Sequence, residues 1–492
     1  MSNRRTFLQS AMALGAGLTA VPELFGAERS NAMSGMSGIS GTKGMRGMSP
    51  AVSVPINTPD GSSLPFTMDG DVKVFRLVAE PVKQEIMPGK VIDLWGYNGS
   101  APGPTIEANE GDRVRVLFEN HLPEATAVHW HGFEIPEAMD GVPGIGQPPI
   151  EPGGKFTYEF TLHQNGTFFY HSHMAMQEMI GMIGAFILHP KHAYTPAVAS
   201  DHVIILQEYA VLPNNTVPNT MNMEYNWLTF NGKVAPAITP IVVRLGDRLR
   251  IRLINLGMDH HPIHLHGNTF WITGHEGARQ PELIWVRRNT VLVAVAQAQD
   301  IEFDAKYPGS WMLHCHMPHH MMNQMSSNVG KMTRLGSGMP AGEDMESGMG
   351  MLAGSGNATS ENRGPSLGRG MGVGSTAENP LVNGPTSTSQ DKGEATGAMT
   401  MSPPTGLPPD ANKVAGFPQD AFMEGPQMAM DKMFAKPETV GLPEGWSGFM
   451  GGMMTLVRVL PPDQYDHYLE LKKKQDSKDM QNMPGMGGDH VS

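Results

Sequence analysis

The sequence contains an internal repeat, which limits the folds that the chain can adopt. Residues 104–132, PTIEANEGDRVRVLFENHLPEATAVHWHG, align with residues 240–267, PIVVRLGDRLRIRLINLGMDHHPIHLHG. A second pair aligns in the same order, GTFFYHSHM at residues 166–174 with GSWMLHCHM at residues 309–317. Internal repetition indicates copies of one structural unit. Each copy carries histidines on two separate segments at equivalent places.

Short strand-like runs fill both halves of the repeat. The first half contains KVFRLVAE, DRVRVLFEN, KFTYEFTL and GAFILHP, and the second contains HVIILQEYA, DRLRIRLINL, NTVLVAVAQ and IEFDAK. Short strands at regular spacing, separated by turn residues, are typical of a β-sandwich. The sequence therefore predicts an all-β fold with two tandem β-sandwich domains, at residues 66–195 and 196–330.

A stretch of different composition interrupts the second domain. Residues 331–445 are rich in Gly, Ser, Thr, Pro and Met, which predicts a largely disordered insertion. The run GGMMTLVRVLPP then aligns with GMIGAFILHP of the first half. We therefore expect residues 451–461 to supply the last strand of the second sandwich; a stray strand in a tail is the alternative. Residues 462–492 form the remaining tail, in which DQYDHYLELKKKQ has helical periodicity.

The first residues are typical of an export signal. Arg4 and Arg5 precede a modest apolar run, a pattern like a twin-arginine signal. The run is short and rich in Gly and Ala, and no later segment reaches membrane-spanning length. We expect residues 1–27 to be a signal peptide, residues 28–65 a flexible leader, and the protein to be periplasmic or otherwise exported. A disordered basic start is the alternative.

Charge and cysteine content exclude several classes of protein. The net charge is −13 and the chain has no long basic run, which argues against nucleic acid or an anionic membrane as a partner. Cys315 is the single cysteine, so an intrachain disulfide framework is excluded. Cys315 must be free, bound to a metal, or bridged to another chain.

Ten of the twenty histidines fall in four motifs. Residues i and i+2 of a strand share a face, so an H-x-H pair aims two imidazoles at one side. Imidazole binds copper, zinc, nickel or iron, whereas one thiolate with two histidines and a distant methionine is the blue-copper set. Ten histidines and a cysteine are too many for one closed zinc site. The motifs are His129-x-His131, His171-x-His173, His261-x-x-His264-x-His266 and His314-Cys315-His316-x-x-x-His320.

These motifs together resemble a known family. HWHG, HPIHLHG and HCHMPHHMMNQM, with the loop MDGVPGIGQPPIEPGGKFTYEF, are similar to multicopper oxidases of the two-domain, laccase-like and cuprous-oxidase-like branch. The resemblance covers roughly residues 70–330 and the returning strand. It implies two Greek-key cupredoxin sandwiches and four copper ions per functional unit, namely one type 1, one type 2 and two type 3.

The resemblance also assigns the ligands. The type 1, or blue, copper takes His261, Cys315 and His320, with Met325 as the axial ligand. The type 2 copper takes His129 and His264. The type 3 pair takes the other six motif histidines, and it forms the trinuclear site together with the type 2 copper: His131, His171, His173, His266, His314 and His316.

The two halves differ at the blue-copper positions. Ser172 stands where the second half has Cys315, and Gln177 stands where it has His320. We therefore expect no blue copper in the first domain, where Met182 is expected only to pack.

The axial position is less constrained than the other ligand positions. Met325 keeps the five-residue step from His320, as the family pattern requires. Met453 aligns with Met182 of the first half and is the alternative.

The resemblance implies one-electron oxidation of a reductant and four-electron reduction of O2 to water. Cys315 is the covalent neighbour of His314 and His316, so an electron crosses few bonds between the two copper sites. Asp140 occupies the place of an acidic residue that supplies protons in related cuprous oxidases and is the predicted proton relay. A turn aspartate before Gly141 is the alternative.

The reductant is constrained only by composition. Many of the 39 methionines lie outside the predicted sandwiches, and thioethers bind Cu(I) well. Together with export, this favours Cu(I) as the reductant; a phenol, Mn(II) or Fe(II) is the alternative reductant. The non-enzymatic alternative is a protein that sequesters copper without turnover. Copper nitrite reductases resemble the chain less, because they hold blue copper in the first domain. Two-domain relatives place each trinuclear site between neighbouring chains, which implies a homotrimer.

Overall fold

The computed structural model describes residues 54–174, 176–211, 215–221, 223, 225–321 and 430–482, with side chains to residue 477. These residues form 22 strands: β1 Ile56–Asn57, β2 Phe66–Asp69, β3 Val72–Met87, β4 Lys90–Tyr97, β5 Gly103–Asn109, β6 Arg113–Asn120, β7 Val128–His131, β8 Lys155–Thr161, β9 Gly166–Ser172, β10 Ile183–His189, β11 Ser200–Tyr209, β12 Trp227–Phe230, β13 Ile241–Arg244, β14 Arg248–Asn255, β15 His261–Leu265, β16 Phe270–His275, β17 Ala278–Arg279, β18 Val286–Arg288, β19 Thr290–Val293, β20 Gln297–Asp304, β21 Gly309–Cys315 and β22 Met454–Leu460. Two α-helices are described, α1 Pro318–Met321 and α2 Pro462–Asn482. Short 3₁₀ helices occupy Glu137–Met139, Glu178–Ile180, Glu282–Ile284, Pro437–Thr439 and Trp446–Phe449.

The first sandwich consists of two sheets. Sheet 1 has the order β2-β3-β6-β8 with β4 beside β3, and sheet 2 has the order β5-β10-β9-β7. Both sheets contribute to one apolar core, which includes Phe75, Trp130, Tyr158 and Phe186. Alternate residues of β6 enter this core, as expected for a strand with one face toward solvent.

The second sandwich also consists of two sheets. Sheet 3 has the order β1-β11-β14-β20-β16-β17, with β12 beside β11 and β18 beside β16. Sheet 4 has the order β13-β22-β21-β15-β19. Their shared core includes Leu253, Ile263, Phe303 and Val457, and it extends to Cys315 at the end of β21. The prediction of an all-β fold with two tandem sandwiches is confirmed.

The strand pairing repeats between the sandwiches. β3 pairs in parallel with β6, as β11 does with β14. β10 lies between β5 and β9 with the same directions that place β22 between β13 and β21. The structure therefore places Met454–Leu460 in the second sandwich, although these residues follow the long insertion in the sequence.

Sheets 2 and 3 pack against each other. Ile183 and Ile187 of β10 share an apolar cluster with Val203 and Ile205 of β11. Strands buried on both faces lose the alternation of apolar and polar residues. This explains why GAFILHP and HVIILQEYA read as continuous apolar runs.

Buried charges lie beside this contact. Arg252 of β14 donates to both carboxylate oxygens of Asp201, at 2.8 Å each, and to Thr167 Oγ1 of β9 at 2.6 Å. Thr167 in turn donates to Asp300 at 2.6 Å. Burial opposes the ionisation of Asp201, but Arg252 and Arg250 outweigh it and lower its pKa. The network ties β9 of the first sandwich to β11, β14 and β20 of the second.

Two segments outside the predicted sandwiches are folded. β1 lies inside the predicted flexible leader, yet Ile56 is buried and β1 adds a parallel strand to β11. Residues 430–445, predicted as disordered, contain a folded turn in which Phe434 is buried and the Glu438 carbonyl accepts from Arg458 at 2.6 Å. These segments are ordered by contacts with distant strands, which local composition does not show.

The tail begins with α2, which packs on the second sandwich. Lys472 of α2 forms an ion pair with Glu438 at 2.6 Å. The predicted signal peptide and residues 331–429 lie outside the described residues. None of the helices described is both long and apolar enough to cross a membrane.

Candidate metal centre

Three donor atoms converge at the end of the second core. His261 begins β15, Cys315 ends β21 and His320 lies in α1. Cys315 Sγ lies 3.4 Å from His320 Nδ1 and 3.8 Å from His261 Nδ1, and the two nitrogens are 3.0 Å apart. All three residues are 0% exposed. One thiol and two imidazole nitrogens around a shared point fit a soft metal ion such as copper.

Burial favours the neutral forms of Cys315 and His320 in the absence of a cation. It raises the pKa of Cys315 to about 12, with the negative charges of Glu208 and Asp259 acting in the same direction. Burial, followed by the neighbouring His261, lowers the pKa of His320 to about 3. A bound cation reverses this balance for the thiol, because it stabilises the thiolate directly.

Glu208 of β11 holds the outer nitrogen of His261. Its Oε2 lies 3.2 Å from His261 Nε2, and its Oε1 accepts from the main-chain N–H groups of Met258 and Asp259, the latter at 3.0 Å. A Cβ at Gly257 would lie 2.1 Å from the carboxylate, so the loop needs glycine there. A carboxylate on the outer nitrogen fixes the orientation of a ligating imidazole. Glu208 was not predicted from the sequence, because a lone glutamate 53 positions away from its partner makes no local motif.

A first group of four histidines lies at the end of sheet 2. His129 and His131 are on β7, His171 is on β9 and His173 follows it. The ring of His129 lies 5.8, 5.3 and 5.4 Å from the rings of His131, His171 and His173. We call this group the first half-site.

A second group repeats the arrangement in sheet 4. The ring of His264 lies 4.9, 5.6 and 5.3 Å from the rings of His266, His314 and His316. His266 Nε2 and His314 Nε2 approach to 3.0 Å. We call this group the second half-site.

Main-chain carbonyls set the tautomers of four half-site histidines. His129 Nδ1 donates to the carbonyl of Asp140 at 2.7 Å, and His264 Nδ1 donates to that of Asn289 at 2.7 Å. His171 and His314 each donate Nδ1 to the carbonyl of the next residue at 2.8 Å. A carbonyl only accepts, so Nδ1 carries the proton and Nε2 keeps its lone pair. Each half-site therefore presents Nε2 atoms with a free lone pair, which can ligate a metal ion.

Each half-site is open on one side. His173, His266 and His316 are exposed. Across the residues that the structure describes, ring contacts among the eight histidines stay within one half-site. Burial, with the neighbouring His171 and His129 acting in the same direction, lowers the pKa of His131 to about 4.

Hydrogen bonds fill the position of the first sandwich that is equivalent to the His261–Cys315–His320 cluster. Thr126 lies three residues before His129, as His261 lies before His264. Gln177 Oε1 accepts from Thr126 Oγ1 at 2.8 Å and from Ser172 Oγ at 2.7 Å. The two hydroxyls also lie 3.2 Å apart. This buried polar triad stands where the second sandwich gathers its thiol and imidazoles.

The remaining predicted residues are placed as follows. Asp140 lies beside His129, with its Oδ1 3.4 Å from His129 Nδ1. Met325 lies outside the described residues. His260 and His319 are exposed and stand outside the His261–Cys315–His320 cluster.

Sequence models of a known family match both sandwiches. Two models described as multicopper oxidase match residues 80–193 and residues 211–333. The chain belongs to the multicopper oxidase family. Copper is the metal of this family, and the buried thiol with two imidazoles fits it.

Individual relatives are similar over parts of their length. Copper resistance protein A of Pseudomonas syringae pv. tomato is 37% identical over 134 residues, 27% of this chain and 22% of that protein. Laccase-1 of Cryptococcus neoformans var. grubii is 39% identical over 145 residues, 29% of this chain and 22% of that protein. The chain thus spans about a fifth of each of these curated relatives. Among solved structures, the Blue Copper Oxidase from Nitrosomonas europaea is 31% identical, with a TM-score of 0.46, over 50% of this chain and 80% of that one.

Proposed function

We propose that the chain is a copper oxidase that passes single electrons from a small reductant to O2, which is reduced to water. The observation that carries the proposal is the buried convergence of Cys315 Sγ with His261 Nδ1 and His320 Nδ1. Multicopper oxidases are oxidoreductases, and this family supports the assignment.

The three convergent side chains would hold the type 1 copper. His129 and His264 would hold the type 2 copper, and the six other half-site histidines would hold the type 3 pair. Copper in these sites supplies one-electron redox chemistry at the blue site and multi-electron reduction of O2 at the trinuclear site. The protein excludes water from Cys315, fixes the imidazole tautomers, and joins the two sites through the peptide bonds of His314-Cys315-His316.

The open half-sites support assembly from several copies. A group of four ligands that is open on one side needs a complementary group to enclose metal ions. The chain carries two such groups, and their described histidine rings do not contact each other. We propose a homotrimer in which the first half-site of one copy faces the second half-site of the next. Such a head-to-tail (heterologous) interface closes into a ring, so every half-site has a partner. An active monomer in size-exclusion chromatography with light scattering would refute it.

The position of Asp140 supports its role as a proton relay. Its carbonyl orients His129, and its carboxylate lies on the same side of that ring at 3.4 Å. An Asp140→Asn variant is expected to keep its copper and lose most of its oxygen-reducing rate. Full activity in this variant would indicate that Asp140 serves only as a turn residue.

The favoured reductant is Cu(I). The relatives named copper resistance protein A and the methionine-rich segments support it. The relatives named laccase support a phenol as the second candidate, with Mn(II) or Fe(II) after it. We also propose export through a twin-arginine signal at residues 1–27, and a division into domains at residues 66–195 and 196–330 with 451–461.

Oxygen uptake by the copper-loaded protein tests the function. Rates with Cu(I), Mn(II), Fe(II) and a methoxyphenol are compared, and the copper content is measured in parallel. We expect oxygen consumption with Cu(I), and its loss together with the blue absorption in Cys315→Ser. Copper bound without oxygen consumption by any reductant would favour a sequestering protein instead.

A further inference from the structure

Met325, the predicted axial ligand of the blue-copper site, lies outside the described residues. His261, Cys315 and His320 are described, but the chain after Met321 is not described again until residue 430. The first sandwich contains the same backbone without the insertion. It therefore indicates which residue of the second sandwich is equivalent to Met182, the residue that keeps the five-residue step from Gln177.

In the first sandwich Met182 makes two main-chain contacts. The N–H of Ser172 donates to the Met182 carbonyl at 3.1 Å, and the N–H of Met182 approaches the Gln177 carbonyl at 3.4 Å. Met182 is 0% exposed and directly precedes β10. Ser172 and Gln177 are the counterparts of Cys315 and His320.

In the second sandwich Met453 makes the same two contacts. The N–H of Cys315 donates to the Met453 carbonyl at 3.0 Å, and the N–H of Met453 donates to the His320 carbonyl at 3.0 Å. Met453 is 0% exposed, directly precedes β22 and belongs to the apolar cluster that contains Cys315. Both methionines thus lie against the same two backbone positions of their sandwich.

The residue before Met453 is adapted to this approach. Gly452 has φ +53°, and a Cβ there would lie 1.8 Å from the His320 carbonyl oxygen. Gly181 precedes Met182 and also has a positive φ, of +113°. Glycine at this position allows the returning chain to reach the loop that carries His320.

We propose that Met453, and not Met325, is the axial thioether of the blue-copper site; this rests on the proposed function. A thioether is the usual weak fourth partner of a His₂Cys copper site. The site is thus completed by the strand that returns after the insertion. A copper ion held by these residues would connect that strand to the loop of Cys315 and His320.

The test compares three methionines in the full-length, copper-loaded protein. The variants are Met453→Leu, Met453→Gln, Met325→Leu and Met182→Leu, and the readouts are copper per chain, thiolate-to-copper absorption and reduction potential. We expect Met453→Gln to lower the potential, because an amide oxygen favours Cu(II), and Met453→Leu to raise it. Met325→Leu and the matched core control Met182→Leu should keep the wild-type potential. A shift in Met325→Leu with none in Met453→Leu would overturn the proposal.

Hydrogen exchange of the wild-type protein provides a second measurement that needs no folded variant. Copper loading should slow exchange in the peptide around Met453, whose N–H is bonded to the His320 carbonyl, and should not do so in Cys315→Ser. Unchanged protection on loading would contradict an axial Met453. A wild-type protein without blue absorption would instead refute the proposed copper site itself.

Discussion

The buried network around Arg252 should control how stably the two sandwiches are joined. Arg252→Met keeps much of the side-chain volume and removes the guanidinium that contacts Asp201 twice and Thr167 once. Within the described part of the chain, Asp201, 3% exposed, then keeps Arg250 at 2.9 Å as its remaining ion-pair partner. Removing one partner of a buried ion pair lowers the free energy of unfolding by about 3–5 kcal/mol. Because Arg250 still neutralises Asp201, we expect a loss at the lower end, about 3 kcal/mol.

Thermal and chemical unfolding of the metal-free protein measure this loss. For domains of this size, about 3 kcal/mol lowers Tm by about 6–12 °C. Replacing both partners, in Arg252→Met with Asp201→Leu, should cost less than the sum of the single losses by about 1–3 kcal/mol. The control is Arg76→Met at the exposed Arg76–Glu119 pair, which should leave the midpoint unchanged. If Arg252→Met has the same unfolding midpoint as the control, the network does not stabilise the contact between the two sandwiches.

Three further changes test other parts of the structure. His202 is buried with neither ring nitrogen hydrogen-bonded among the described residues, and burial lowers its pKa to about 4. The imidazole of the unfolded chain takes up a proton from about pH 6.5, so the wild-type free energy of unfolding should fall by about 3 kcal/mol between pH 7 and 4. In urea titrations, His202→Leu should lack this part of the decline. Equal dependence of stability on pH in the two proteins would contradict the prediction. Gln177→Leu should cost about 1–3 kcal/mol in the same assay by leaving the hydroxyls of Thr126 and Ser172 without their acceptor, while the copper content stays unchanged. Glu208→Gln should raise the reduction potential of the blue site, because it removes a negative charge beside His261; an unchanged potential in redox titration would argue against that role.

The sequence predicted the features that depend on periodicity and repetition. Two sandwiches follow from the repeated strand runs. The H-x-H spacing brings imidazoles together, since the rings of His129 and His131 lie 5.8 Å apart and those of His264 and His266 lie 4.9 Å apart. The alignment also led to β22 after the insertion. Thr126 could have been found in the same way, since it aligns with His261 three residues before the H-x-H pair.

Features that depend on distant contacts were not predictable. Glu208 reaches His261 from a different strand, and its burial removes any surface pattern. β1 and the turn at residues 430–445 are ordered because β11 and Arg458 bind them, although their own composition is typical of a loop. The polar network of Arg252 gives no motif either, because its members lie on four strands.

Subunit mixing tests most directly the central claim that the oxygen site forms between the half-sites of two copies. One protein carries His131→Ala and His173→Ala, and the other carries His264→Ala and His266→Ala. Each is expected to be inactive alone. Hybrid oligomers should regain oxygen uptake, because random assortment pairs an intact first half-site with an intact second half-site in about one interface in four. Hybrid oligomers that form and consume no oxygen would contradict the claim.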